Sequence, residues 1–269
     1  MRVLLTEYFK NTNILRDNEI LETIRRNQAS NMFDKIFIMC EKDLPILNTN
    51  GPAHKAFSRF ILSEKIALKT AQRVGKDYTK KKFTYIQGSM HYVLTGDRQT
   101  FKSMFEYANL HCADSIVIIA NNDIYFDSTL KLLNEFNMTN QCLSLLRYDV
   151  QADGSPSKIF KYTSHDGARG YGNGGSRADS QDSWIFKTPI LIPSKSDFYF
   201  GIPGCDNRIS YLLHKEGYTV SNPALDIKSH HIHMTGIRTY TRHDTVKRPY
   251  LCIEPTTLGA VGKYNFIME

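Results

Sequence analysis

Ser115-Ile116-Val117-Ile118-Ile119-Ala120, followed at once by Asn121-Asn122-Asp123-Ile124-Tyr125-Phe126-Asp127, decides the fold class. The run to Ala120 is short, apolar and rich in β-branched residues, the pattern of a strand covered on both faces. It then breaks off into two amides and a carboxylate. Upstream, residues 1–9 (MRVLLTEYF) begin with a strand-like run, Arg16–Asn27 sets Ile20, Leu21 and Ile24 on one helical face with charges opposite, and Phe33–Cys40 reads as a second strand. Strand, helix and strand in that order predict a parallel pair with a right-handed crossover. Further along, Phe60–Arg73 and Phe101–His111 read as helices, and Phe83–Gln87 and Gln141–Val150 as strands. A helix is expected from Ser128, as its N-cap, to Phe136. Trp184–Phe186 reads as a short strand, Ile209–Lys215 as a helix ended by Gly217, and Leu225–His233 as a last strand before an irregular tail. With no internal repeat and no Pro/Ser linker, the chain is expected to form a single α/β domain with a mixed, mostly parallel central sheet flanked by helices.

Composition narrows the function classes. The 269 residues are 41% hydrophobic and 23% charged, which excludes disordered and fibrous architectures. The balance of 34 basic against 27 acidic residues, +7, suits an anionic partner and equally a plain solubility charge. Cys40, Cys112, Cys142, Cys205 and Cys252 are odd in number and form no CxxC, so they read as free thiols in a reducing compartment. The first residues reach Glu7 before any leader core can form, and the longest apolar run is far too short to span a bilayer. A cytoplasmic location is therefore expected, with the Asn137-Met138-Thr139 sequon unused. Lys76–Lys82 reads as a solvated basic turn, and the glycine-dense stretch 167–176 as a loop.

Four constellations carry chemistry. At the end of the buried strand, Asp123 offers a hard oxygen for Mg²⁺ or Mn²⁺, since ligands of open α/β sheets gather at the carboxyl ends of parallel strands. Asn121 and Asn122 are equally turn formers, and Asp127 equally a cap. Next, in Lys228-Ser229-His230-His231-Ile232-His233 a strand points His231 and His233 to one face and His230 to the other. That pair with Asp123 makes a mixed nitrogen and oxygen set that Mn²⁺ accepts. In the third, Gly204-Cys205-Asp206-Asn207-Arg208, an acid stands at the start of a helix, where the backbone dipole favours its charge. It would serve as a base toward a sugar hydroxyl, or simply as an N-cap. Last, Asp179-Ser180-Gln181-Asp182-Ser183-Trp184 sets the single tryptophan beside acids, an arrangement suited to stacking on a sugar or to core packing.

Taken in order along the chain, these features resemble the GT-A family of nucleotide-sugar glycosyltransferases. The resemblance spans about residues 3 to 240, and its individual motifs are degenerate. It implies that Asn121-Asn122-Asp123 stands where the family has Asp-x-Asp, with Asp123 the remaining metal-binding acid and Asn121 and Asn122 facing the ribose or phosphates. The late histidine that completes the family's metal shell would be His231 or His233. Cys205-Asp206 stands where the family has an acid pair, so Asp206 inherits the role of base in a single inverting displacement, with Asp182 as the reserve candidate. Thr6-Glu7-Tyr8 would close on the nucleotide base, with Tyr8 stacking on it. Arg98 would meet the donor, and Arg98 or Arg238 would bond phosphate. Trp184 and Asp182 would hold the acceptor. About residues 1–130 would then form the nucleotide-binding half and about 131–269 the acceptor-binding and catalytic half. The segment around Asp206 is also similar to exostosin-type transferases, and the whole chain to small soluble transferases of large algal DNA viruses and some bacteria. The implied cofactor is Mn²⁺ or Mg²⁺ and the implied donor a UDP-sugar, with a glycan or glycoside acceptor and no nucleic acid. Two other classes compete: a metal-dependent phosphoesterase or nuclease, and a non-catalytic module that binds nucleotides or glycans.

Overall fold

Alternation along Arg2–Tyr8 (β1) sends Val3 and Leu5 to one face of the sheet and Leu4 and Tyr8 to the other, and both faces are buried. A computed structural model describes residues 1–45, 83–168, 174–238 and 240–268, together with scattered helical positions between 59 and 73. On the Leu4 face lies helix α1, Ile14–Ala29, which packs Ile20 and Ile24 into the core. Its start is fixed by Asn13, whose side chain accepts from the backbone N–H of Leu15 and Arg16. The chain then enters β2, Lys35–Cys40, which runs parallel to β1 as the crossover requires.

A hairpin of β3 (Phe83–Gln87) and β4 (Met90–Leu94) extends the sheet beyond β2, β4 pairing with it in parallel. Helix α2, Phe101–His111, buries Phe101, Met104, Phe105 and Ala108 on the Val3 face. It leads into β5, Ile116–Ala120, parallel to β1 on its other edge. After β5 come β6 (Ile124–Phe126), β7 (Gln141–Asp149), β8 (Lys158–Ile159) and β9 (Gln181–Lys187). Helix α3 spans Cys205–Lys215, followed by β10 (Thr219–Ser221) and β11 (Ser229–His231). The eleven strands form one mixed sheet in the order β3-β4-β2-β1-β5-β9-β7-β11-β6, with β8 and β10 pairing with β7 off that path. The α/β class and the mixed sheet are as the sequence led us to expect.

Three local readings need correction. Residues Ser128–Asn134 form a 3₁₀ helix rather than an α-helix, and Asp127, not Ser128, caps it by accepting from Thr129 N at 2.9 Å. The last strand of the large sheet is only Ser229–His231, because Asp226 and Ile227 both donate to the Pro223 carbonyl and turn the chain. The tail is not wholly irregular: β12 (Tyr250–Ile253) and β13 (Tyr264–Ile267) pair antiparallel, and Leu251 and Ile253 share a core with Ile209 and Leu213 of α3. The described positions between 59 and 73 are helical. The basic turn at 76–82 and residues 169–173 of the glycine loop lie outside the described residues, and the expected loop's first two positions belong to a short helix, Ser164–Ala168.

The topology gathers the chemistry. Strands β1, β5, β7 and β11 point the same way, and β9 runs opposite between β5 and β7. The carboxyl ends of the first four and the start of β9 therefore meet along one edge of the sheet. Between β7 and β9 the pairing steps from Leu145↔Ser183 to Leu146↔Gln181, which leaves Asp182 as the extra residue of a bulge. Bulges re-aim side chains at such edges.

Candidate functional site

Along that edge lies a cavity of about 330 Å³, lined by residues from both halves of the chain. Glu7, Arg98, Asn121, Asn122, Asp123, Asp182, Asp206, His231, His233 and Arg238, all singled out from sequence, line it together. Sequence reading missed Phe9, Arg16, Arg147, Phe160 and Arg177. The available signal for Arg147 was a charge within a strand-like run, directly after Leu143-Ser144-Leu145-Leu146.

Asp123, His231 and His233 bring ligand atoms within 4.8 Å of one another. The antiparallel register of β6 and β11 sets His231 opposite Ile124, and Ile232 N donates to the Asp123 carbonyl at 2.9 Å. His231 Nε2 lies 3.2 Å and His233 Nδ1 3.6 Å from Asp123 Oδ2. Arg16 of α1 joins them, its Nη2 donating to Asp123 Oδ2 at 2.5 Å and its Nη1 to Glu19 and the Ile232 carbonyl. Helix α1 thus buries Arg16 and Glu19, where amphipathic periodicity predicts a solvated charged face. Burial alone would raise the Asp123 carboxyl, but His231, His233 and Arg16 outweigh it and hold the group well below its ordinary range. Burial would likewise lower His231, but Asp123 and Asp149 raise it to about 9, so the imidazole between two carboxylates is a cation when no metal is bound. The donor set, two imidazoles and one carboxylate, fits a divalent ion that accepts mixed ligands, and favours Mn²⁺ over oxygen-seeking Mg²⁺. His230 points the other way as expected, stacked on Tyr125 and bonded to Asp127 and Ser157.

Asp182 is held from both sides. Asn121 Nδ2 donates to its Oδ1 at 2.7 Å and Arg147 Nη1 to its Oδ2 at 2.8 Å. Such a carboxylate fixes the turn after β5. Arg147 also donates to Asp149 and Ser180 and lies 3.9 Å over the Phe160 ring. Removing this buried cation leaves Asp182 without its cationic partner and Asp149 with His231 alone. Arg147→Met is expected to cost about 3–5 kcal/mol in urea unfolding; a loss under about 1 kcal/mol would contradict the ion-pair network.

Asp206 does not cap α3. Gly204 occupies that position with φ +77°, and an added Cβ there would collide with the Tyr250 ring. Asp206 sits in the first helical turn, and its Oδ2 accepts from Gln181 N at 3.1 Å. Its surroundings reverse the expected effect of the helix dipole. Burial pushes the carboxyl up to about 7 and the nearby Asp182 and Asp179 add to this, against the backbone N–H groups of Asn207 and Gln181. Glu7 is pushed by burial to about 7 as well, against the pull of Arg98.

Three sequence-derived assignments fail on geometry. Tyr8 shares the parity of Leu4, so its ring is buried under α1 with its hydroxyl on Asp17, and it has no face for a nucleobase. Thr6 is buried and likewise does not line the cavity; Phe9, one residue beyond Tyr8, does. Trp184 is 0% exposed, packed edge-on against Phe101 beneath α2, so it cannot stack on an acceptor sugar. As the only tryptophan it tests this directly: its emission should be blue-shifted, resistant to iodide and unmoved by saccharides. Ready iodide quenching would place the ring at the surface.

Several residues that line the cavity carry a buried, unpaired polar atom. Arg98 Nε, Asn121 Oδ1, Asn122 Nδ2 and Gln181 Oε1 are buried without a hydrogen-bond partner among the described residues. Arg98 is steadied by the Phe200 carbonyl and lies over the rings of Phe9 and Tyr199. No protein-family profile matches the chain, and no curated protein is significantly similar to it. All five cysteines are free and buried, and no helix among the described residues is long and apolar enough to cross a membrane.

Proposed function

We propose that the chain is a metal-dependent glycosyltransferase that moves a sugar from a nucleotide-sugar, a UDP-sugar being the first to test, to a hydroxyl of a glycan or glycoside. One observation carries the reading: the Asp123–His231–His233 cluster and the buried, raised carboxyl of Asp206 line the same cavity at the carboxyl edge of the sheet. The cation would be held by those three side chains and, when bound, supplies Lewis-acid stabilisation of the departing diphosphate. Arg98 and Arg238 bond phosphate oxygens through charge-assisted hydrogen bonds. Phe9 offers the nucleobase the face that Tyr8 lacks. Asn121, Asn122 and Gln181 line the cavity beside the place of the ribose or sugar hydroxyls. Asp206 accepts the proton of the attacking hydroxyl, and one such base suffices for an inverting displacement. The buried free thiols support a reducing, cytoplasmic setting.

A thermal-shift panel of nucleotides and nucleotide-sugars, with and without Mn²⁺, tests the proposal, because a ligand that binds only the folded state raises the melting temperature by mass action. The expected result is stabilisation by one nucleotide series only when Mn²⁺ is present, with slow hydrolysis of the matching sugar donor. Cleavage of a phosphodiester would favour the phosphoesterase class instead, and binding without any turnover a non-catalytic module.

A further inference from the structure

We infer that Asp149 is a positioning residue for the candidate metal centre: it fixes the His231 ring so that Nε2 faces the cation. The inference rests on the metal reading above. The parallel register of β7 and β11 sets Asp149 beside His231, and Val150 N donates to the His231 carbonyl at 3.0 Å, so the two backbones are locked together. His231 Nδ1 lies 2.8 Å from Asp149 Oδ1. An ionised carboxylate only accepts, so the ring turns its Nδ1–H to Asp149, and this orientation points Nε2 at Asp123 and the cation site. Asp149 is itself aimed by Arg147 Nε at 3.0 Å, and the same guanidinium holds Asp182, which holds Asn121. A closed chain of polar contacts therefore runs from Asp123 through His231, Asp149, Arg147 and Asp182 back to the turn that carries Asp123. Carboxylates behind metal-bound imidazoles set both ring orientation and ligand basicity, and losing one typically weakens metal binding about 10–100-fold.

The Asp149 side chain is 35% exposed, so its replacement should leave the fold intact. The test measures Mn²⁺ affinity by electron paramagnetic resonance on the full chain, with UDP present. Wild type, Asp149→Ala and Asp149→Asn are compared, and the ¹⁴N couplings of the bound ion are recorded. Asp149→Ala should bind Mn²⁺ about 10–100-fold more weakly and lose one imidazole coupling. Asp149→Asn retains an oxygen that accepts from Nδ1 and should recover most of the affinity and the coupling, which a general loss of packing would not predict. Equal affinity and unchanged couplings in Asp149→Ala would overturn the inference while leaving the metal reading intact. If wild type itself binds no Mn²⁺, the metal reading fails and the inference falls with it.

Discussion

Asp206→Asn is expected to reduce turnover about 10²–10⁴-fold, the range for loss of a positioned general base, while nucleotide binding in the presence of Mn²⁺ stays as in wild type. Pre-steady-state kinetics with the donor identified by thermal shift would measure both. The carboxyl of Asp206 is raised to about 7, and a base must be ionised to act. Wild-type kcat/KM should therefore rise with pH through about 7 and then level off. The same burial has a stability signature of defined sign. A carboxyl whose folded pKa lies above its unfolded value stabilises the fold fully at low pH, and that contribution is lost as pH rises through about 7. Asp206→Asn removes a charge that the folded protein buries at some cost. The variant should melt above wild type at pH 8, and the gap should close near pH 4. Full transfer activity in Asp206→Asn would remove it as the base. Asp182 would not then be a ready substitute, since Asn121 and Arg147 already hold its two oxygens.

Loss of Asp123 should be the most severe change at the metal centre. It is the only carboxylate in the cluster, and the two imidazoles alone offer no charge to a hard cation. Asp123→Ala is expected to abolish the Mn²⁺-dependent thermal shift, a loss beyond the roughly 10–100-fold that changing an outer-shell partner costs. It also strips Arg16 of one of its two carboxylates, so some destabilisation is expected alongside. Asp123→Asn keeps an oxygen for Arg16 and separates the two effects: the fold should be largely restored and the cation dependence should not. A Mn²⁺-dependent shift of wild-type size in either variant would show that the cation sits elsewhere.

How much of this was legible beforehand depended on the length scale of each signal. The parallel strands and their crossover were readable because β1, β2 and β5 are apolar on both faces and α1 sets Ile20 and Ile24 on one face. The turn after β5 was readable because polar residues follow an apolar run without transition. Which side chain faced the cavity was not readable, because it depends on strand parity relative to helices distant in sequence. Tyr8 looked like the aromatic for a nucleobase, yet α1 covers its face of β1 and Phe9 takes the position. Trp184 looked like a sugar platform, yet the parity of β9 sends it beneath α2. Arg16, Glu19, Arg147 and Asp149 serve the site through partners up to 216 residues away, and no local pattern marks such pairings. The helix dipole at Asp206 was correctly located, but burial and two neighbouring carboxylates, which only the tertiary structure brings close, reverse its effect.

One cation is expected to join the turn after β5 to the imidazoles at the end of β11 and to meet a diphosphate there. Pulsed electron paramagnetic resonance of Mn²⁺ bound to the chain with a nucleoside diphosphate reads both contacts in one sample. The expected spectrum carries ¹⁴N couplings from His231 and His233 together with ³¹P couplings from the diphosphate. A spectrum with phosphorus couplings alone, the same as that of the nucleotide–Mn²⁺ complex in buffer, would contradict it.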